Sequence, residues 1–333
     1  MPERDLSIDY KGNLMPKELT HLVLAAAIRK KFTASDRHAE IGQALKASND
    51  AYLFGAVMHD LAFCAPSGPA GDKVKAKGMA IHGNPAGNTL TPLIRLAAEF
   101  DKTGSPEMLA MIAGAVSHMY ADAVFHPFVY YYTGDEIERH YRLEAIIDTY
   151  FYKKQKHWLD TPVSPLSLYK NVDSDMLVIY LARFLNLSDT LKPVLKKALR
   201  MHWFVLRLFR SRIGYCFFWA VSQFSTAEFK SKRKLFYPAG MTFDAPFFED
   251  DFFYRHPVTG EERKDGLESL TETVICKTCS VLHDISLAAG KREVEKYFSE
   301  LSPISLETGL DVSVPRVFKY TDLSLTIDLL LHP

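Results

Sequence analysis

"AGAVSHMYADAVFHPF", residues 113–128, is apolar enough to lie at the centre of a fold, yet it carries His118, Asp122 and His126. They are spaced four apart, and such a step turns an α-helix by about 40°, so the three polar side chains share one face. Burying them costs free energy unless each finds a partner. Upstream, Ser105 can cap a helix, with Pro106 in its first position and Glu107 next. The pattern predicts a helix from there to Pro127.

The same spacing returns in "TGDEIERHYRLEAIIDTYF", residues 133–151, where His140 and Glu144 are followed one turn later by Asp148. Thr133 and Glu136 stand at capping-box spacing and predict the start of a long helix. Imidazole and carboxylate are ligand types that zinc accepts. Side chains at i and i+4 can close on one ion, as on the His-Glu-x-x-His helix of metalloproteases. A lone histidine on an apolar helix is more simply a hydrogen-bonded core residue, and a lone i,i+4 pair is surface support. Five His, Asp and Glu residues at this spacing on two successive helices favour a bound cation, which satisfies them together.

Outward from this pair the chain reads as helix after helix. "LTHLVLAAAIRKKF" (19–32) has helical apolar spacing and a basic end, as the helix dipole favours. "DAYLFGAVMHDLAFCA" (50–65) reads as one apolar helix stopped by a Gly/Pro/Lys loop at 66–78, and 87–100 is a third. A Pro-rich break at 160–167 divides a core, residues 1–160, from a mostly helical region, 161–333, packed on it. The expected fold is all-α, a multi-helix bundle. In the second region 174–227 reads as helical and 265–300 does so again. Lys196, Lys197, Arg200, Arg207 and Arg210 fall along one side of "KKALRMHWFVLRLFRSRIGYCFFWAV" (196–221). That side is either the solvated edge of a core helix or a surface for peripheral contact with an anionic membrane. Six aromatics between 243 and 254 are either tucked onto the core or offered to an apolar partner.

Composition bounds the function. The 333 residues have 40 basic and 40 acidic side chains, so no basic footprint for nucleic acid is expected. No run reaches the ~18 apolar residues of a membrane span. The first 21 residues are charged from the start and read as no secretory signal, so a cytoplasmic location is expected. Four cysteines are too few for a disulfide scaffold, and the lone "CKTC" at 276–279 reads as two incidental thiols in a helix.

Further candidates stand upstream: His21 in the first helix, Asp60 after His59 in "GAVMHDL", and His82 in "IHGNPAG". In order and setting, His21, Asp60, His82, His118, Asp122, His126, His140 and Glu144 resemble the zinc-dependent phospholipase C family, which includes the bacterial alpha-toxin catalytic domains. The resemblance covers about residues 18–150 and is most specific from Gly114 to Asp148. It implies that the bundle is built around a multinuclear zinc site of up to three ions. Asp60, His82, His118 and Asp122 would hold one, and His126, His140 and Glu144 a second. A third would share Asp122 and use His21. In the family a processed terminal amine completes the third site, whereas here Met1 lies 20 residues before His21. Leu61 stands where an aromatic would help hold a choline headgroup, so preference for phosphatidylcholine does not follow.

The resemblance implies a zinc-dependent phosphodiesterase, a phospholipase C acting on a phospholipid by metal-activated water, with Asp60 orienting or deprotonating that water. Two rivals share the chemistry. One is the related helical zinc nuclease. The other is an HD-type phosphohydrolase using His21, His59, Asp60 and Asp122, which leaves His118, His126, His140 and Glu144 unexplained. A catalytically degenerate metal-binding protein is a third reading, although structural zinc sites are usually cysteine-rich and this set has none.

Overall fold

Ser105 does cap the central helix: its side chain accepts the Met108 amide at 3.3 Å, with Pro106 in the first turn. The computed structural model describes residues 18–34, 39–84, 87–165, 174–226, 232–237, 240–243 and 252–332, with Leu168, Lys230 and Phe248. Among these are helices α1 (Glu18–Thr33), α2 (Ala39–Ala47), α3 (Asn49–Gly55), α4 (Pro69–Ile81), α5 (Thr91–Thr103) and α6 (Pro106–Thr133). They continue with α7 (Ile137–Trp158), α8 (Ser174–Leu185), α9 (Lys192–Phe209), α10 (Arg212–Ser222), α11 (Leu267–Lys291) and α12 (Val294–Ser299). Strands are few. β1 (Thr242–Phe243) pairs with β4 (Leu331–His332), and β2 (Phe252–Arg255) forms an antiparallel hairpin with β3 (Glu262–Asp265). The protein is an all-α bundle.

α6 is its axis, in contact with α1, α2, α3, α5, α7 and α11. Its length and composition would allow it to cross a membrane, against the expectation that no stretch would. It is instead enclosed by the other helices, which bury its apolar surface all round. The closest approach is to α3. A methyl group on Gly114 would lie 2.0 Å from the Tyr52 carbonyl oxygen, and one on Gly55 2.2 Å from that of Met111. Backbones this near leave room for hydrogen only.

Several local expectations are corrected. α6 does not stop at Pro127 but runs six residues further, to Thr133. The proline removes one helical hydrogen bond, freeing the Ala123 carbonyl. Tertiary packing offsets the loss, because α6 is buried on both sides of this point. The predicted capping box is absent: Thr133 belongs to α6, and Glu136 is the N-cap of α7 without a side-chain bond. The apolar stretch 50–65 is two pieces, α3 and a 3₁₀ turn at Asp60–Cys64. The supposed loop 66–78 is mostly α4, opened by Pro69 in its first turn. The basic stretch 196–221 breaks after Phe209, and Ser211 caps α10 by accepting the Gly214 amide at 3.0 Å.

The aromatic segment is tucked in where it is described. Phe248, Phe252 and Tyr254 are buried, and Phe253 alternates outward on β2; residues 244–247 and 249–251 lie outside the described residues. Cys276 and Cys279 are free thiols on α11.

Candidate metal centre

Gly55 and Gly114 bring the end of α3 against α6, and that contact positions the first donors. Nδ1 of His118 lies 3.0 Å from the Ala56 carbonyl, just beyond α3. A carbonyl only accepts, so Nδ1 carries the proton and Nε2 presents its lone pair. The arrangement recurs twice. Nδ1 of His82 donates to the Gly78 carbonyl at 2.8 Å, within the last turn of α4. Nδ1 of His126 donates to the Leu306 carbonyl at 2.6 Å, 180 residues away in sequence. Metal-bound histidines are held in this way, with the far nitrogen bonded and the near one free. Nε2 of His82 and Nε2 of His118 are both buried without a hydrogen bond of good geometry.

The donors converge in three groups, each with its ligand atoms within 4.8 Å of one another: His21, His118 and Asp122; Asp60, His82 and His118; His126, His140 and Glu144. All eight side chains expected from the sequence are thus brought together, and all are buried. Asp122 reaches both of the first two groups: its Oδ1 lies 3.3 Å from Nε2 of His21, and its Oδ2 lies 3.2 Å from Nε2 of His118, which those groups share, and 3.9 Å from Nε2 of His82. Asp60 spans the same two. Its Oδ1 is 3.3 Å from Nε2 of His82 and its Oδ2 3.9 Å from Nε2 of His21. In the third group Glu144 lies between His140, on its own helix, and His126, whose Nε2 is 3.6 Å away. A cavity of about 30 Å³ separates the groups, with His21, Asp122, His126 and Glu144 in its wall. It is large enough for water-sized occupants. Buried imidazole and carboxylate without thiolate is a donor set that zinc accepts, so the residues fit the metal.

The electrostatics follow from burial opposed by partners. Burial pushes the Asp60 carboxyl up, but His118 and the close approach of the His82 ring outweigh it and hold it below the usual range, as a carboxylate. Burial opposes charge on His118, yet Asp122 and Asp60 hold this imidazole above its ordinary value. His21 goes the other way, lowered by burial and by His118.

His59 belongs to none of the three groups. Its ring stacks on His118 with centroids 4.4 Å apart, and Phe184 meets it edge-on. An HD-type site needs His59 and Asp60 on one ion, and among the described residues no group of close ligand atoms includes His59. Asp148, one turn beyond Glu144, is not a donor either. Its Oδ1 accepts the Thr20 amide at 2.9 Å and also the Thr20 hydroxyl, tying α7 to the residue before His21. Burial pushes its carboxyl up to about 8, with the nearby Glu18 adding to this against the Thr20 hydrogen bonds. Leu61 is wholly buried.

The residues that sequence reading missed are those that hold the ligands. Ala56, Gly78 and Leu306 act through backbone carbonyls, which leave no trace in side-chain identity. The turn at 305–310 touches both halves of the centre, since the Leu306 amide also donates to the His82 carbonyl at 3.1 Å. Only its glycine was a signal. Gly309 has φ +68°, and a methyl group there would lie 2.4 Å from the Ala123 carbonyl freed by Pro127.

An all-α bundle whose central helix gathers imidazole and carboxylate around one cavity defines a helical protein with a candidate metal centre. Residues 20–191, just over half of the chain, match the family model for zinc-dependent phospholipase C. The chain belongs to the zinc-dependent phospholipase C family. No curated protein and no solved structure matches it.

Proposed function

We propose that the chain is a zinc-dependent phosphodiesterase that hydrolyses a phospholipid, releasing diacylglycerol and a phosphorylated headgroup. The observation that carries this reading is the convergence of eight buried donors in three groups, two of them sharing His118 and the third set beside them on one cavity. Family membership supports the reaction class. When bound there, zinc supplies positive charge for the phosphate oxygens and a water of lowered pKa.

The protein's own groups do the rest. The lone pairs of His82, His118 and His126 are aimed by the carbonyls of Gly78, Ala56 and Leu306, so these rings bind and are not proton donors. Asp60, held as a carboxylate, takes the proton of the attacking water and orients it toward phosphorus. Glu144 stands in the wall of the cavity, with His140 against it on the same helix. The headgroup is not specified by Leu61, which is buried.

Zinc-loaded protein is expected to release diacylglycerol from phospholipid dispersed in detergent. Asp60→Asn should lose on the order of 10²–10⁴ in rate, the usual worth of a general base, while binding some zinc. Full zinc occupancy with no turnover of any phosphodiester, or an unimpaired Asp60→Asn variant, would rule the reading out.

A further inference from the structure

Along α9 the buried positions Leu195, Ala198, Leu199, His202, Val205 and Phe209 form a complete packing stripe at helical spacing. His202 anchors it, with Nε2 2.9 Å from Glu18 at the start of α1. Folding therefore needs nothing from the opposite side, where Met201, Trp203 and Phe204 are exposed. α10 goes further. Ile213, Phe217 and Trp219 are 84, 69 and 49 % exposed, and Phe224 beyond its end is 95 % exposed. Single exposed apolar residues are ordinary, but a run of large ones on two successive helices marks a binding surface.

The charge around this surface says what covers it. From Asp189 to Glu228 the chain carries seven Lys and Arg residues and no acidic one between those two; Lys192 and Lys196 are paired with Asp189 and Asp175, so the excess rests on Lys197, Arg200, Arg207, Arg210 and Arg212. The Arg207 guanidinium lies over the Trp203 ring, 4.7 Å from its centroid. A cation on an indole is suited to the boundary between headgroups and hydrocarbon. Lys197 and Arg200, with Met201 and Phe204, line a cavity of about 310 Å³ beside Cys64 and Pro66. It joins an apolar floor to two cations, the complement of an anionic lipid headgroup. A second copy of this chain would set like-charged rims against each other.

We propose that the α9–α10 face docks on bilayers containing anionic phospholipid, with the aromatic side chains entering the interface and the cations meeting headgroup phosphates. The inference rests on the phospholipase reading for its purpose. Cys64 ends the 3₁₀ turn that begins at Asp60, so docking sets the wall of the metal centre against the source of substrate.

The test is flotation of the whole chain with vesicles of phosphatidylcholine alone or mixed with phosphatidylglycerol, in chelator so that no lipid is consumed. Binding to the mixed vesicles is expected, weakening with salt. Tryptophan emission should shift to the blue and be quenched by brominated lipid. Phe217→Ser combined with Phe224→Ser should reduce partition on the order of tenfold or more, with zinc content and elution volume unchanged. Equal partition of parent and variant, or no preference for the anionic vesicles, overturns the proposal. So does a dimer that the substitutions dissociate while vesicle binding is absent throughout. Vesicle binding without turnover in zinc would sink the phospholipase reading and keep the docking face; turnover of detergent-dispersed lipid without vesicle binding would do the reverse.

Discussion

At the residue scale, Asp122 is where one substitution reaches furthest. Its two oxygens face different imidazoles, at 3.3 and 3.2 Å, so Asp122→Asn should remove more than one zinc per chain. His140→Ala touches only the group with His126 and Glu144 and should remove one. Elemental analysis of the two purified variants checks this, and equal losses would contradict the bridging geometry. Asp148 supports a different expectation. Its carboxyl is raised to about 8 in the folded chain, so the folded state holds a proton that the unfolded chain has released above pH ~4. That stability is fully present at low pH and is lost as pH rises through 8. Asp148→Asn imitates the protonated form and can still accept from Thr20. Its melting temperature should therefore fall less between pH 4 and 8 than the parent's, and exceed it above pH 8.

At the scale of elements, α6 was legible because it states everything locally: a cap at Ser105, an apolar body, and polar residues at a single repeated step. Its end was not. Pro127 is a helix breaker by local rules, and only packing on both sides carries the helix past it. The same limit explains α4, read as a loop from its Gly, Pro and Lys content but helical because Val74, Gly78 and Ile81 reach the core on one side. The α3–α6 contact turns on two glycines. Gly114→Ala places a methyl group 2.0 Å from the Tyr52 carbonyl and must push the helices apart. A loss of about 1–3 kcal/mol is expected, measured by urea unfolding. The zinc held through His118 should weaken too, since its carbonyl partner Ala56 sits at that contact.

Across the whole molecule, the far end of the chain completes the metal centre. The turn at 305–310 aims His126 and bonds the backbone of His82, joining parts of the site that no local rule connects. Gly309→Ala strains a left-handed position and meets the Ala123 carbonyl, so it should displace Leu306. Zinc affinity is then expected to fall on the order of 10–100-fold, read by competition with a chromophoric chelator, although residue 309 touches no metal. Because bound metal favours the folded chain, removing it by chelation should lower the melting temperature by several degrees, and added zinc should restore it.

The candidate donors are legible in the sequence alone. Ligand chemistry resides in side-chain type, and a four-residue step fixes their common face on a helix whatever else the chain does. Their grouping was decided only by tertiary structure. Which oxygen of Asp122 meets which histidine, why His59 joins no group of ligand atoms while Asp60 does, and which carbonyl holds each ring depend on how separate helices approach. That approach is set by backbone contacts at Gly55, Gly114 and Gly309, residues whose lack of a side chain is what they contribute.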